Sequence, residues 1–233
     1  MKLDLLAFGA HPDDVEISAG GLLCSEVQKG KKVGIVDLTL GELGTRGNPE
    51  IRRAEANKAA VIIGCEIREN LAMRDGFFSV DETHLLQVIE VIRKYKPEIV
   101  IANAPYDRHP DHGRASTLLK EACFLAGLRK IDTNQEVWRP KAVYQYMQFY
   151  LHKPDFVYDI SHVLKQKLEC ILAHTSQFYN PESNEPETVI ASKHFKENLT
   201  ARASEYGLQA GFEFGEPFMC SRPMGVKNIL DFY

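Results

Sequence analysis

The chain has 233 residues, 44% hydrophobic and 26% charged, with 28 Lys and Arg against 32 Asp and Glu for a formal net charge of −4. This composition excludes intrinsic disorder, and the length suffices to bury a core without disulfide or metal staples. The basic residues are scattered, which argues against a nucleic-acid partner, and no apolar run approaches the roughly 20 residues of a bilayer span.

The first half alternates strand-like and helix-like stretches. The apolar run "LDLLAFG" (3–9) reads as a central strand. Residues 15–29 carry apolar side chains at helical spacing and stop at Gly30. "KVGIVDLTL" (32–40) is the next strand, and "GELGTRGNP" (41–49) is a loop. That loop lacks the G-K-[ST] ending and the G-x-G-x-x-G order of a phosphate cradle. Pro49 can open a helix that ends at Gly64. A short strand and a turn follow, then an amphipathic helix over 81–95 with Asp81 as its cap. "PEIVIANAP" (97–105) is a fourth strand and residues 112–127 a further helix.

The second half is less regular. Strands are expected over 141–150 and 155–160, a helix capped by Ser161 over 161–174, and a helix over 188–207 ending at Gly207. "FEFGEPFMCSRPMGV" reads as an aromatic, turn-rich tail. No linker separates domains. The expectation is one domain over 1–233, with a regular β/α half (1–128) and an irregular extension (129–233). The predicted fold is α/β: a Rossmann-like, mostly parallel sheet with helices on both faces.

Five cysteines (Cys24, Cys65, Cys123, Cys170 and Cys220) are odd in number and never spaced C-x-x-C. They read as small buried hydrophobes in a reducing compartment, not as a disulfide framework or thiolate zinc site. With no signal-peptide pattern, the expected location is the cytoplasm.

The chemistry is concentrated in two clusters, "AHPDD" (10–14) after the first strand and "YDRHPDH" (106–112) after the fourth. In parallel sheets ligands sit at the carboxyl ends of strands, so both clusters fall where a site is expected. Either motif alone reads equally well as a turn or helix cap. Two together suggest one site. Two His and a carboxylate form an open coordination set for a divalent transition metal, leaving room for an activated water. The set would still have an acid and an imidazole to spare for proton transfer and oxyanion stabilisation. Asp13 and Asp14 are adjacent and diverge; His112 can enter from the first helical turn while His109 stays on the loop. Spacing does not fix the assignment. The remaining histidines, His84, His152, His162, His174 and His194, read as surface or cap residues. His174, in "AHTSQF", merits inspection.

"AHPDD" with a later "HPDH" resembles the LmbE-like (PIG-L type) zinc-dependent N-acetylglucosaminyl deacetylases. "TLGELGTRGNPEIRRAEANKAAVIIG", "MRDG" and "AHTSQF" extend the resemblance over most of the chain, and "TARASEYGLQAGFEFGEPF" is similar to the bacillithiol-biosynthesis branch. The resemblance implies that His11, Asp14 and His112 bind Zn2+, with Fe2+ as an alternative in vivo. It makes Asp13 the general base, and His109 the oxyanion stabiliser or amine acid as an imidazolium. Arg52 and Asp75 would bind sugar hydroxyls, with Arg53 a neighbour easily confused with Arg52. Asp111 would orient a ligand imidazole, and Arg108 would meet an anionic group or form an ion pair. The implied reaction is deacetylation of N-acetylglucosaminyl malate by a homo-oligomer, with a small-molecule sugar as its only partner and no membrane or nucleic acid. Three alternatives stand beside it: a broader N-acetylglucosamine or chito-oligosaccharide deacetylase, a two-His, one-carboxylate Fe(II) oxygenase, and a non-catalytic binding protein. A structural zinc site is normally closed by four protein ligands, so the spare acid and imidazole favour catalysis.

Overall fold

The computed structural model describes residues 1–231; the expected 1–233 unit extends two residues beyond them. In chain order the elements are β1 (Leu5–Gly9), α1 (Asp14–Gln28), β2 (Val33–Thr39), α2 (Pro49–Ile63), β3 (Ile67–Met73), α3 (Glu82–Tyr95), β4 (Ile99–Ala102), α4 (Pro110–Leu125), β5 (Ala142–Tyr146), β6 (Phe156–Asp159), α5 (Leu164–Leu172), α6 (Lys193–Ala210) and β7 (Gly215–Cys220). A 3-10 turn follows at Ile229–Asp231.

The strands form one sheet in the order β3-β2-β1-β4-β5-β7-β6. β1 to β5 are parallel, and β7 runs antiparallel to both β5 and β6. Both faces are covered. Leu5, Ala7, Val33 and Ile35 pack with α1, α2, α5 and α6, while Leu6, Phe8, Val36 and Leu38 pack with α3 and α4. A strand buried on both sides has no polar alternation, which is why β1 and β2 read as continuous apolar runs. The strand order reverses between β1 and β4, the position where an open parallel sheet parts to form a crevice.

The local signals act as expected in the first half. Asn48 caps α2 by accepting from Ile51 N at 2.9 Å, Pro49 follows, and Gly64 closes the helix at φ +89. Asp81 caps α3 by accepting from His84 N. The second half differs from expectation. Ser161 does not cap α5, because its hydroxyl is committed to Asp159 Oδ1 (2.6 Å) and accepts from Phe214 N (3.1 Å). The helix instead begins at Leu164. α6 begins five residues later than expected, capped by Ser192, and runs past Gly207 to Ala210. Gly207 is there for contact: a Cβ would meet the Phe214 backbone at 2.8 Å.

The turn-rich tail contains β7, inserted between β5 and β6. Pro217 argues against an interior strand, since it cannot donate to a ladder, and it hid this element. β7 sends Glu216 into the face of α1. Its Oε1 accepts from Gly21 N (2.8 Å) and Lys167 Nζ (2.6 Å), and its Oε2 from Leu22 N (2.7 Å). A Cβ at Gly21 would lie 2.6 Å from the Ile160 side chain, so this approach requires glycine. No helix among the described residues is long and apolar enough to cross a membrane.

Candidate active site

The loops leaving β1 and β4 meet at the reversal point. Asn103, the first residue after β4, joins them: its Oδ1 accepts from Ala10 N (3.2 Å) and its Nδ2 donates to Asp14 Oδ2 (3.2 Å). Asp14 opens α1 and is buried. Its Oδ2 also accepts from His11 N at 3.0 Å, and its Oδ1 from Gln148 Nε2, just beyond β5. His11, His109 and His112 converge, one ring nitrogen of each lying within 4.8 Å of the others.

Each imidazole is oriented by a specific partner. His112 Nδ1 donates to Asp107 Oδ2 at 2.7 Å, which leaves Nε2 facing Asp14 Oδ1 at 3.3 Å. His11 Nε2 lies 3.1 Å from Asp75 Oδ1 and 3.3 Å from Asp111 Oδ2, while its Nδ1 faces Asp14 Oδ2 at 3.6 Å. His109 is the N-cap of α4, its Nδ1 accepting from Asp111 N at 3.3 Å. In a neutral imidazole this assigns the proton to Nε2.

The carboxylates are themselves anchored. Asp107 accepts from the backbone amides of Arg108, Phe149 and Tyr150. Asp111 accepts from Gly76 N at 2.8 Å and pairs with Arg114. Asp75 Oδ2 accepts from Leu43 N (3.0 Å), and its own amide donates to Glu42 Oε1 (2.8 Å). The loop 41–47 thus frames the site through Asp75.

These charges set the local field. Burial alone would lower the His11 imidazole, but hydrogen bonds with Asp111, Asp14 and Asp75 hold it well above its usual 6.5. Burial also opposes charge on His112, yet Asp14 and Asp107 bring it to about 9. Asp14, despite burial, is held well below the usual carboxylate range by His112 and His11. His109 is lowered by burial and by the neighbouring His11 and His112. Burial pushes Asp13 up to about 6, against the opposing charge of Arg52.

The donor set fits a divalent transition metal. Asp14, Asp75, Asp107 and Asp111 surround two imidazoles, whose protons compensate their charge; a cation can take that role. Two imidazoles each turn one nitrogen to Asp14 and the other to a buried carboxylate, the arrangement that orients histidine ligands. The mixed nitrogen and oxygen donors suit zinc or iron.

The other predicted residues have defined places. Arg52 is buried, its guanidinium turned to the Pro12 and Gly41 carbonyls and to Asp13. Asp75 lies against His11. Asp111 also faces His11, and Arg108 stacks on Phe149 at 4.7 Å. Arg53 lines a cavity of about 250 Å3 with Pro12, Asp37 and Arg68. His174 is fully buried and pairs with Glu16 at 3.0 Å instead of joining the histidine cluster. Asn103, Asp107 and Gln148 were missed. Asp107 sits inside the quoted second cluster, and Asn103 interrupts an apolar strand end; both carried a signal. Gln148 is 134 residues from Asp14, and nothing local marks it.

Residues 6–123 match the family model described as "PIG-L: GlcNAc-PI de-N-acetylase". The chain is 30% identical over 224 residues to a diacetylchitobiose deacetylase of Thermococcus kodakarensis, covering 91% of this chain and 80% of the relative. It is 28% identical to a probable N-acetyl-alpha-D-glucosaminyl L-malate deacetylase 2 of Bacillus anthracis, over 72% of this chain and 78% of the relative. A crystal structure of a conserved protein from Thermus thermophilus superposes with a TM-score of 0.89 at 33% identity, covering 97% of this chain and 98% of that one. The likeness also extends to a 4-oxalmesaconate hydratase of Pseudomonas putida, 25% identical over 74% of this chain and 73% of the relative. With most of the chain matched, and the sheet and the two polar loops in place, the chain belongs to the PIG-L family and is a hydrolase of its deacetylase class.

Proposed function

We propose that the chain hydrolyses the N-acetyl group of an N-acetylglucosamine conjugate, releasing acetate and the free amine, and that N-acetylglucosaminyl malate is its substrate. One observation carries the reaction: His11 and His112, each backed by a buried carboxylate, face Asp14, with Asp13 in the same loop and the His109 imidazole alongside. His11, Asp14 and His112 would hold the metal, Zn2+, with Fe2+ the alternative in vivo. Such a metal supplies Lewis-acid activation, lowering the pKa of a coordinated water to about 7.

The chain's own residues do the rest. Asp13, at about 6, is ionised at neutral pH yet more basic than an ordinary aspartate, so it accepts the proton of the attacking water. His109 donates its Nε2–H to the carbonyl oxygen as negative charge develops there. The proton on Asp13 then passes to the amide nitrogen as the C–N bond breaks, which returns Asp13 to its carboxylate form.

Arg108 supports the anionic aglycone. It has no ion-pair partner among the described residues and lies on the loop that carries His109. The Thermococcus relative supports a broader chito-oligosaccharide range instead. Metal-free enzyme, with zinc and iron restored separately, is assayed for acetate release from the malate conjugate, diacetylchitobiose and N-acetylglucosamine. The malate conjugate is expected to have the highest kcat/KM. Equal values for conjugate and free sugar reject the malate reading, and acetate from none rejects the reaction. We also propose that the enzyme acts in the cytoplasm as a homo-oligomer, with its small-molecule sugar as its only other partner.

Asp107 gives a separate test of the metal assignment. Asp107→Asn keeps the shape of the side chain but removes the anion behind His112. It is expected to weaken metal binding by about 10–100-fold in chelator competition, the usual worth of such a partner. Unchanged affinity would place the metal away from His112.

A further inference from the structure

Asp13 is the strained residue of the site. Its φ is +112, in the left-handed half of backbone space that non-glycine residues avoid. It stands at the N-cap of α1, yet its side chain makes no capping hydrogen bond. The contacts that hold it come from α2.

Arg52 is almost fully buried. Its Nη2 donates to the Pro12 carbonyl at 2.7 Å and to Asp13 Oδ2 at 3.3 Å, and its Nη1 donates to the Gly41 carbonyl at 3.0 Å. The Pro12 carbonyl lies in the peptide plane that rotates when φ of Asp13 rotates. Holding that oxygen therefore holds the strained angle, while the contact to Oδ2 aims the carboxylate.

Gly41 makes room for this brace. A Cβ there would lie 1.9 Å from Arg52 Nη1, and its own φ of +64 favours glycine. Gly41 N donates to Thr39 Oγ1 at 3.1 Å, and that hydroxyl donates to the Ala10 carbonyl at 2.9 Å. The brace thus runs from the end of β1, through Thr39, Gly41 and Arg52, back to Pro12 and Asp13. Both terminal nitrogens of the guanidinium are engaged with protein.

We propose that Arg52 is a positioning residue, acting through Pro12 and Asp13 to fix the proton acceptor, and that Gly41 is its seat. The proposal rests on the reading of Asp13 as proton acceptor. It differs from the family resemblance, in which this arginine binds sugar hydroxyls.

Arg52→Lys and Gly41→Ala, each metal-loaded, are compared with wild type on whichever N-acetyl sugar the wild type turns over. A lysine has one nitrogen and cannot span all three oxygens; the alanine displaces the guanidinium while leaving Arg52 in the sequence. Both variants are expected to lose kcat by about 10²-fold, the scale of a 1 Å misplacement, with KM within about twofold. Metal content should be unchanged. A raised KM with kcat preserved in Arg52→Lys would overturn the proposal in favour of sugar binding.

A stability comparison needs no substrate. Asp13→Gly and Asp13→Asn both remove the charge, but only glycine relieves the strain. Glycine is expected to raise Tm over asparagine by about 2–4 °C with Arg52 present. That difference should vanish in Arg52→Lys, where the loop is free to relax. An equal difference in both backgrounds overturns the proposal. If wild type releases no acetate, the functional reading fails, while the Tm comparison still decides whether Arg52 holds the strain.

Discussion

Asp13→Asn is expected to retain its metal and to lose kcat by about 10² to 10⁴, roughly 3–5 kcal/mol of barrier. Asparagine matches aspartate in shape, bears the same backbone strain as the aspartate it replaces, and still offers Arg52 an acceptor oxygen. The fold of the loop should therefore persist, and only the proton acceptor is lost. Burial makes this particular carboxylate more basic than its neighbour, which His11 and His112 keep ionised. Steady-state acetate release with metal analysis of the same preparations checks the result. An Asp13→Asn enzyme without metal would make Asp13 a ligand and reverse the roles given to the two aspartates. Full activity would remove proton transfer from Asp13 altogether.

His112→Ala should fail at an earlier step. It removes the Nε2 that faces Asp14 Oδ1 and, on the proposed assignment, one metal ligand. Metal affinity is expected to fall by more than the roughly 100-fold upper range for an outer partner such as Asp107. Chelator competition measures this without reference to substrate. Asp107 keeps its amide bonds from Arg108, Phe149 and Tyr150, so the loops should hold their places and circular dichroism should change little. Metal binding as tight as wild type would exclude His112 from the ligand set.

The first half of this fold was legible because its signals are local. Asn48, Pro49 and Gly64 punctuate α2 within its own sequence, and Asp81 does the same for α3. β1 and β2, buried on both faces, announce themselves as apolar runs. The second half depends on distant partners. Ser161 looks like a cap, but its hydroxyl has better company in Asp159 and Phe214. β7 carries a proline in its middle, and its place between β5 and β6 is decided by residues 56 to 76 positions away. The same distinction holds at the site. His11, Asp13, Asp14, His109 and His112 are dense in chemistry and lie in two short motifs, so sequence alone brings them into consideration. Their supporting partners belong to the geometry: Gln148 reaches Asp14 from the loop after β5, and the turning of Arg52 toward Pro12 follows from where α2 packs.

Glu216 has a consequence for the order in which the molecule is made. It accepts hydrogen bonds from amides in the middle of α1, 194 and 195 residues earlier in the chain. At roughly 5–20 residues per second, a ribosome completes α1 on the order of tens of seconds before that carboxylate exists. Gly20 and Gly21 make the waiting helix intrinsically weak, and α1 is the helix that begins with Asp14. The Glu216 bonds to α1 therefore form only once β7 has been made and set between β5 and β6. The motif that opens α1 is thus made well ahead of the strand that secures it, so a chain interrupted before β7 lacks the bonds that lock α1 in place.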